Sequence, residues 1–189
     1  SWYWMPDVFD AYFERFGKKV SDYYELVRLD PSYQVIFQDK ELVDIPAAYN
    51  ELKALFENYE KGSGAELDKF LNEGEYKYRV GMDDLVHKPS HSILEFAQWK
   101  VIAGVFKLQL FSSISKHIRK HFTHPKLIEL LEFPVLFLGA KPQETPALYS
   151  LMNFADIKLG TWYPLGGMHK IVEGMTALAK EKGVEFVLD

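Results

Sequence analysis

Apolar residues recur at intervals of three and four along several segments of the chain, and this spacing predicts amphipathic helices. Proline residues mark some of the predicted starts and glycine residues some of the ends. The predicted helices run from Pro6 to a stop at Gly17, from Pro46 through Phe56, from about Ala65 to Val86, from Ser112 to Phe122, from Thr145-Pro146 through Ala155, and from Met168 to about Lys182 before Gly183.

The long helix from Ala65 to Val86 carries two glycines, Gly74 and Gly81, on its apolar side. Glycine in a helix costs about 1 kcal/mol relative to alanine. One interpretation is that a neighbouring backbone or a ligand approaches closely at these positions. The other is a tolerated kink, and the pattern does not separate the two.

Shorter apolar runs between turn residues predict strands. These are residues 23–29, 33–37 and 42–45, with the turn Asp30-Pro31-Ser32 between the first two, and a final strand over 184–188. Since helices outnumber strands and the strands lie mainly towards the two ends, the predicted class is α+β.

Two apolar segments have less regular patterns. Residues 92–111 are interrupted by Glu95, Lys100 and Lys107, so this segment is a poor candidate for a membrane span. A buried helix is favoured there over a helix lying in a membrane interface with its lysines reaching towards water. Pro134 is expected to kink or split the second apolar segment, Leu127 to Leu138.

Composition narrows the function classes. The chain has 189 residues, 48% hydrophobic and 26% charged, which is typical of a folded globular protein. It has no cysteine, which excludes disulfides, thiolate metal sites and a cysteine nucleophile. A net charge of −5 argues against nucleic acid as a partner. Aromatic residues reach 15%, enough to cover an extensive apolar core or ligand.

Candidate chemistry from spacing alone is sparse. His117 and His121 have the i, i+4 spacing of a two-histidine metal face, but Lys116, Arg119 and Lys120 beside them would repel a cation. We therefore expect no metal site there, and a solvated basic face or a face against acidic lipid instead. The sequence has no nucleophile elbow, Walker loop or dinucleotide-binding glycine motif, and no carboxylate pair with a defined role. The catalytic residue stays unknown.

The stretch Gly160 to Gly167 is the most distinctive in the chain. Trp162 and Tyr163 precede Gly166-Gly167 at the start of a predicted helix. Such a segment can present rings to a flat ligand while the backbone comes close to it. A tight connection packed under aromatic residues is the favoured interpretation from the residues alone.

Six motifs in this order resemble the bacterial-type phytoene desaturases, the carotenoid desaturases among the FAD-dependent amine-oxidase-like flavoproteins. The matching residues cover essentially the whole chain: Met5-Pro6-Asp7-Val8-Phe9 with Phe16-Gly17; Val27-Arg28-Leu29-Asp30-Pro31-Ser32-Tyr33; Phe70-Leu71 with Glu75 and Tyr78; Phe133 to Gly139; Pro146 to Met152; and Trp162-Tyr163-Pro164 with Gly166-Gly167-Met168.

The resemblance implies that the chain is an internal piece of a longer enzyme, an expectation that agrees with a start lacking methionine. It implies a segment adjoining the flavin domain at 1–22, a mainly helical substrate-binding domain with a small antiparallel sheet at 23–159, and a return segment to the flavin domain at 160–189. One helix and one strand would belong to the flavin domain.

The function implied for the whole enzyme is desaturation of a C40 carotenoid precursor, with FAD as the hydride acceptor. FAD is not expected to bind to these residues alone. The resemblance further implies an apolar substrate, contacts from Phe137, Tyr149, Trp162 and Tyr163, cofactor contacts from Gly166 and Gly167, and a cytoplasmic enzyme attached peripherally to the membrane. The oligomeric state stays open.

Two alternatives remain at this point. A retinoid saturase or carotenoid isomerase resembles the same pattern. A non-catalytic helical domain that binds lipid or another apolar ligand belongs to a different functional class, and the missing dinucleotide motif favours it only if the natural chain is no longer than this one.

Overall fold

The protein is described here from a computed structural model, which describes residues 2–82, 86 and 111–187. The chain divides into two compact units. The split unit consists of Ser1–Ala47 and Leu159–Asp189, and the continuous unit consists of Ala48–Lys158. Residues 92–110 of the predicted segment 92–111 lie outside the described residues, as do residues 83–85 near the predicted end of the long helix.

Helices predominate over strands in the described residues, which confirms the predicted α+β class. The helices are α1 (Pro6–Glu14), α2 (Tyr49–Tyr59), α3 (Ser63–Val80), α4 (Ile114–His121), α5 (Pro125–Glu132), α6 (Leu151–Phe154) and α7 (His169–Glu181). The strands are β1 (Leu26–Arg28), β2 (Tyr33–Ile36), β3 (Leu42–Ile45) and β4 (Trp162–Pro164). Short 3₁₀ helices cover Val20–Asp22, Phe133–Leu138 and Ala147–Ser150, and a π-helix covers Ala155–Leu159.

Two antiparallel strand pairs organise the split unit. β2 and β3, which match the predicted strands 33–37 and 42–45, pair as a hairpin with Tyr33 opposite Ile45. β1 pairs with β4, far away in sequence, so that Arg28 lies opposite Trp162. The helices of this unit pack on an aromatic core whose buried members are Tyr3, Phe13, Val20, Tyr24 and Leu178. The pairing of β1 with β4 joins the two separate stretches of chain that form this unit.

Helix α3 is the centre of the continuous unit, where it contacts α2, α4 and α6. Its apolar residues Leu67, Phe70, Leu71 and Tyr78 are buried, as the helical spacing predicts. A Cβ atom at Gly74 would lie only 2.9 Å from the backbone oxygen of Ser150. The close backbone approach, one of the two interpretations of this glycine, is therefore confirmed. At Gly81 the nearest described atom would be 4.0 Å away, in Leu151.

Several predicted elements change at their ends. The segment after Pro125 is split as expected, because α5 gives way to a 3₁₀ helix over Phe133–Leu138, which contains Pro134. The single helix predicted from Thr145-Pro146 is instead a succession of 3₁₀, α and π turns. The strand predicted over 23–29 is reduced to Leu26–Arg28.

The predicted C-terminal strand is wrong for its described residues, since 184–187 form no strand. The reason is local. Gly183 adopts φ +82°, and the amide of Val184 donates to the oxygen of Ala179 at 3.0 Å, which closes the end of α7. This is the hydrogen bonding of a glycine-terminated helix. Within the described part of the chain, no neighbouring strand is available to 184–187.

Candidate functional site

The Trp162–Tyr163 pair lies on β4, where alternate side chains point to opposite faces. Trp162 is half-buried against the core of the split unit, and its indole nitrogen donates to the oxygen of Leu159 at 2.8 Å. Its backbone exchanges two hydrogen bonds with Tyr3, at 2.9 and 3.0 Å. The Tyr163 side chain is 37% exposed. Of the two rings, Tyr163 is therefore the more accessible to a ligand.

Arg28 lies on β1 and holds the neighbouring strand β4 in place. The sequence alone assigned no role to this residue. Its guanidinium lies 5.8 Å from the Trp162 ring centre and donates to the oxygen of Ala47 at 3.2 Å. A Cβ at Gly160 would lie 2.5 Å from the guanidinium carbon, and Gly160 has φ +89°. Glycine is thus required at Gly160 both by conformation and by the space that Arg28 occupies.

Gly166 and Gly167 form the turn between β4 and α7, with φ +87° and +103°. The Gly167 amide donates to Pro164, and its carbonyl accepts from Lys170, each at 3.0 Å. Both of its backbone groups are thus engaged within the turn. The nearest described atom to a Cβ at Gly167 would be the Tyr163 hydroxyl oxygen at 3.9 Å, so the described part of the chain leaves the Cα face open. This geometry permits close contact with a flat ring and does not form a phosphate-binding loop.

Phe137 and Tyr149 lie in the continuous unit. Phe137 is 55% exposed, beside Leu136 at 67% and Leu138 at 41%. Its ring contacts Phe133 with 5.6 Å between centres. Tyr149 is half-buried in the 3₁₀ helix Ala147–Ser150. The structure thus places Trp162, Tyr163 and the glycine pair in one unit, and Phe137 and Tyr149 in the other.

A buried lysine lies at the contact between α3 and the 3₁₀ helix Ala147–Ser150. Lys77 is 1% exposed and donates to the Ala147 oxygen at 3.0 Å and to Ser150 Oγ at 2.9 Å. Burial lowers the pKa of Lys77 to about 8, against the nearby Glu73, which raises it. Sequence reasoning missed this residue, although its position three residues after Gly74 places it on the apolar side of the helix.

The structure corrects the prediction that the two histidines of α4 lie on a solvated basic face. The predicted solvated basic face does not include His117, which is 1% exposed with its ring 5.4 Å from that of Phe70. The reason is the amphipathic character of α4, which buries Ile114, Ile118 and His117 and leaves Lys116 and Arg119 exposed. Burial lowers the pKa of His117 to about 3, assisted by the positive charge of Lys77. Its imidazole is therefore neutral near pH 7.

A carboxylate from α3 completes this group. Glu73 Oε2 lies 3.4 Å from His117 Nε2, and Glu73 Oε1 lies 4.0 Å from His121 Nε2. Glu66, two turns earlier on α3, bonds His121 Nδ1 at 3.0 Å. The spacing of the two histidines predicts that they lie on the same side of α4, whereas the participation of Glu73 depends on how α3 and α4 pack.

Across 2–82, 86 and 111–187, no helix combines the length and the apolar character needed to cross a bilayer.

Comparison with known proteins gives a consistent result. No protein-family model matches the chain. A carotenoid 3,4-desaturase from Haloarcula japonica is 37% identical over 190 residues, an alignment that includes all of this chain. Along its whole length, the chain is homologous to the carotenoid desaturases. The resemblance seen in the six motifs is thereby confirmed.

Other relatives, two named as desaturases and one as an oxygenase, align over nearly the same range. A zeta-carotene-forming phytoene desaturase from Myxococcus xanthus is 31% identical over 96% of this chain, and a phytoene desaturase from Phycomyces blakesleeanus is 26% identical over 100%. A 4,4'-diapolycopene oxygenase from Methylomonas is 29% identical over 98%. The chain spans 38%, 35%, 33% and 37% of these four relatives, respectively.

Proposed function

We propose that these residues are the substrate-binding part of an FAD-dependent carotenoid desaturase. The observation that carries the proposal is the homology over the full chain to proteins named as carotenoid and phytoene desaturases. In the proposed reaction, two C–H bonds on adjacent carbons break and one C=C bond forms. A hydride and a proton leave the hydrocarbon.

The substrate has no charged group that the protein can grip, so binding depends on apolar and aromatic contact. In the continuous unit, we assign this contact to the exposed apolar surface formed by Leu136, Phe137 and Leu138, together with Tyr149. In the split unit, Tyr163 is the exposed ring and Trp162 supports the strand that carries it. The role of these residues is to position the hydrocarbon rather than to react with it.

FAD supplies the two-electron oxidation when it is bound. Gly166 and Gly167 fit one contact with a flat ring, because both positions have positive φ and none of the described side chains covers the Cα of Gly167. The sequence contains no glycine-rich phosphate loop after a strand, so its residues do not fit the pyrophosphate. We accordingly limit the cofactor contact proposed for this chain to the glycine pair.

Peripheral attachment to the cytoplasmic face of a membrane is part of the proposal. The exposed face of α4 carries Lys116, Arg119 and Lys120, and Arg119 also contacts Glu132. Basic residues near an anionic membrane surface contribute about 1 kcal/mol each. Residues 92–110 of the apolar segment that precedes this helix lie outside the described residues.

Product analysis tests the proposed function. The gene that encodes these residues, expressed with its natural flanking sequence in a phytoene-accumulating host, should yield carotenoids that have lost two hydrogens per step and absorb at longer wavelength. Chromatography with mass spectrometry separates this result from oxygen addition, the chemistry in the name of the Methylomonas relative. Products that gain oxygen, isomerise without hydrogen loss, or do not form would contradict the proposal.

Single substitutions test the assigned surface. Phe137→Ala should raise the KM for carotenoid more than it lowers kcat, because it removes ground-state and transition-state contact alike. Phe186→Ala is the matched control, since Phe186 is 47% exposed but lies outside the assigned surface. Equal effects of the two substitutions would remove Phe137 from the site.

A further inference from the structure

Three side chains with metal-ligating atoms converge between α3 and α4. Glu73 comes from α3, and His117 and His121 come from α4; one ligand atom from each lies within 4.8 Å of the others. The i, i+4 spacing puts both imidazoles on the same side of α4, with 5.3 Å between their ring centres. Glu73 faces both rings, at 3.4 Å from one and 4.0 Å from the other.

The orientation of His121 is set by a second carboxylate. Its Nδ1 lies 3.0 Å from Glu66 Oε2, which leaves Nε2 directed towards Glu73. Glu66 is in turn held by Lys69 at 2.6 Å. A carboxylate that binds the distal nitrogen of a histidine is the usual outer contact of metal-ligating histidines, because it fixes the tautomer and orients the ring.

His117 is the independent observation that points to a ligand. Its side chain is 2% exposed, yet neither ring nitrogen makes a hydrogen bond within the described part of the chain. Leaving a buried polar group unsatisfied is unfavourable, because the hydrogen bonds that it made with water in the unfolded chain are lost and not replaced. Packing against Phe70 explains the position of the ring but leaves its nitrogens unsatisfied. A metal ion coordinated by Nε2 would satisfy one of them.

We propose that Glu73, His117 and His121 bind a divalent transition-metal ion of the Zn²⁺ class, which ties α3 to α4. Two imidazoles and one carboxylate form a ligand set that Zn²⁺ takes, with a fourth position open to water. This site is separate from the assigned carotenoid surface and does not depend on the desaturase proposal.

The positive charges around the cluster lower its expected affinity for a metal ion but do not abolish binding. Lys77 and Lys120 lie close enough to disfavour positive charge at His117. Lys77 is turned towards the Ala147 oxygen and Ser150 Oγ, which it contacts at 3.0 and 2.9 Å. The carboxylates of Glu66 and Glu73 offset these two cations. We therefore expect binding in the micromolar range rather than the very tight binding of thiolate sites.

Zinc titration of the protein with its natural flanking sequence, expressed without a histidine tag and stripped with chelator, tests the site. Calorimetry should show one more ion per chain in the wild type than in Glu73→Gln or His121→Gln, and zinc should raise the melting temperature of the wild type but not of these two variants. Cobalt substitution should give visible absorption bands of nitrogen and oxygen coordination, and these bands should be lost in both variants.

His169→Gln is the matched control, because it removes an exposed histidine outside the cluster. It should bind zinc as the wild type does. Glu73 has a 42% exposed side chain, so its amide variant should fold even where a substitution of buried His117 does not. Absence of zinc binding in the wild type, unchanged binding in Glu73→Gln and His121→Gln, or equal loss in His169→Gln would overturn the proposal.

Discussion

The close contact at Gly74 predicts that alanine at this position destabilises the protein, and Gly81, seven residues later, serves as the matched control. Gly74→Ala places a methyl group 2.9 Å from the Ser150 carbonyl oxygen and 3.3 Å from Phe154 Cβ. The oxygen belongs to the backbone and cannot rotate away as a flexible side chain can. The same substitution at Gly81 places the methyl group 4.0 Å from the nearest described atom.

The magnitude follows from two opposing effects. Alanine is favoured over glycine by about 1 kcal/mol in a helix, and this gain applies at Gly74 and also at Gly81, the residue after the end of α3, which has helical dihedral angles. Overpacking a well-filled contact costs about 1–3 kcal/mol. The gain from helix propensity cancels between the two variants, so Gly81→Ala should be neutral or stabilising, and Gly74→Ala should be less stable than Gly81→Ala by the overpacking cost, about 1–3 kcal/mol.

Urea unfolding followed by far-ultraviolet circular dichroism measures this difference. The expected result is a lower midpoint for Gly74→Ala than for Gly81→Ala, with similar slopes. Since the Ser150 oxygen would have to move, contacts of the adjoining Lys77 should loosen as well, which amide hydrogen exchange in 147–150 can report. Equal midpoints, or a higher one for Gly74→Ala, would refute the inferred backbone contact.

Three further predictions concern charge and cofactor. Glu60 is partly buried, which raises its pKa, but the amides of Thr123 and His124 and the Thr123 hydroxyl donate to it and hold the pKa below its usual range. Glu60→Gln should therefore lower the unfolding free energy at pH 7 by about 1–2 kcal/mol. Because folding lowers the pKa of Glu60, the loss should be full above the ordinary pKa of glutamate, about 4.3, and should shrink as the pH falls further and the folded wild type takes up a proton. A constant difference in urea titrations at pH 7 and pH 3 would contradict this. Charge reversal at Lys116 and Lys120 should weaken co-sedimentation with anionic vesicles but not change the far-ultraviolet spectrum, and unchanged sedimentation would argue against membrane contact through α4. The purified 189 residues should not retain FAD in a flavin fluorescence titration, and stoichiometric micromolar binding would disprove that expectation.

Local patterns were sufficient for much of the fold. The 33–45 hairpin and the break in the segment that contains Pro134 follow from strand spacing and from a missing backbone donor. Each depends on residues near one another in sequence. Element ends were less predictable, as the C-terminal strand shows, because the amide of Val184 closes α7 instead.

Pairings between distant segments were not predictable from spacing. The pairing of β1 with β4 brings Arg28 onto Trp162, and neither run of residues specifies the other. The same holds for the candidate metal site. The two histidines were identified by their spacing, but the third ligand, Glu73, is contributed by another helix, and only the packing of α3 on α4 shows that His117 is buried.

The desaturase proposal is tested most directly by following flavin and carotenoid together. The purified holoenzyme would be mixed with carotenoid substrate in the absence of oxygen, and the visible flavin absorbance recorded with the product composition. The account predicts that the flavin band bleaches and that one C=C bond appears for each flavin reduced. Carotenoid conversion with an unchanged flavin band, or no hydrogen loss from the carotenoid, would contradict it.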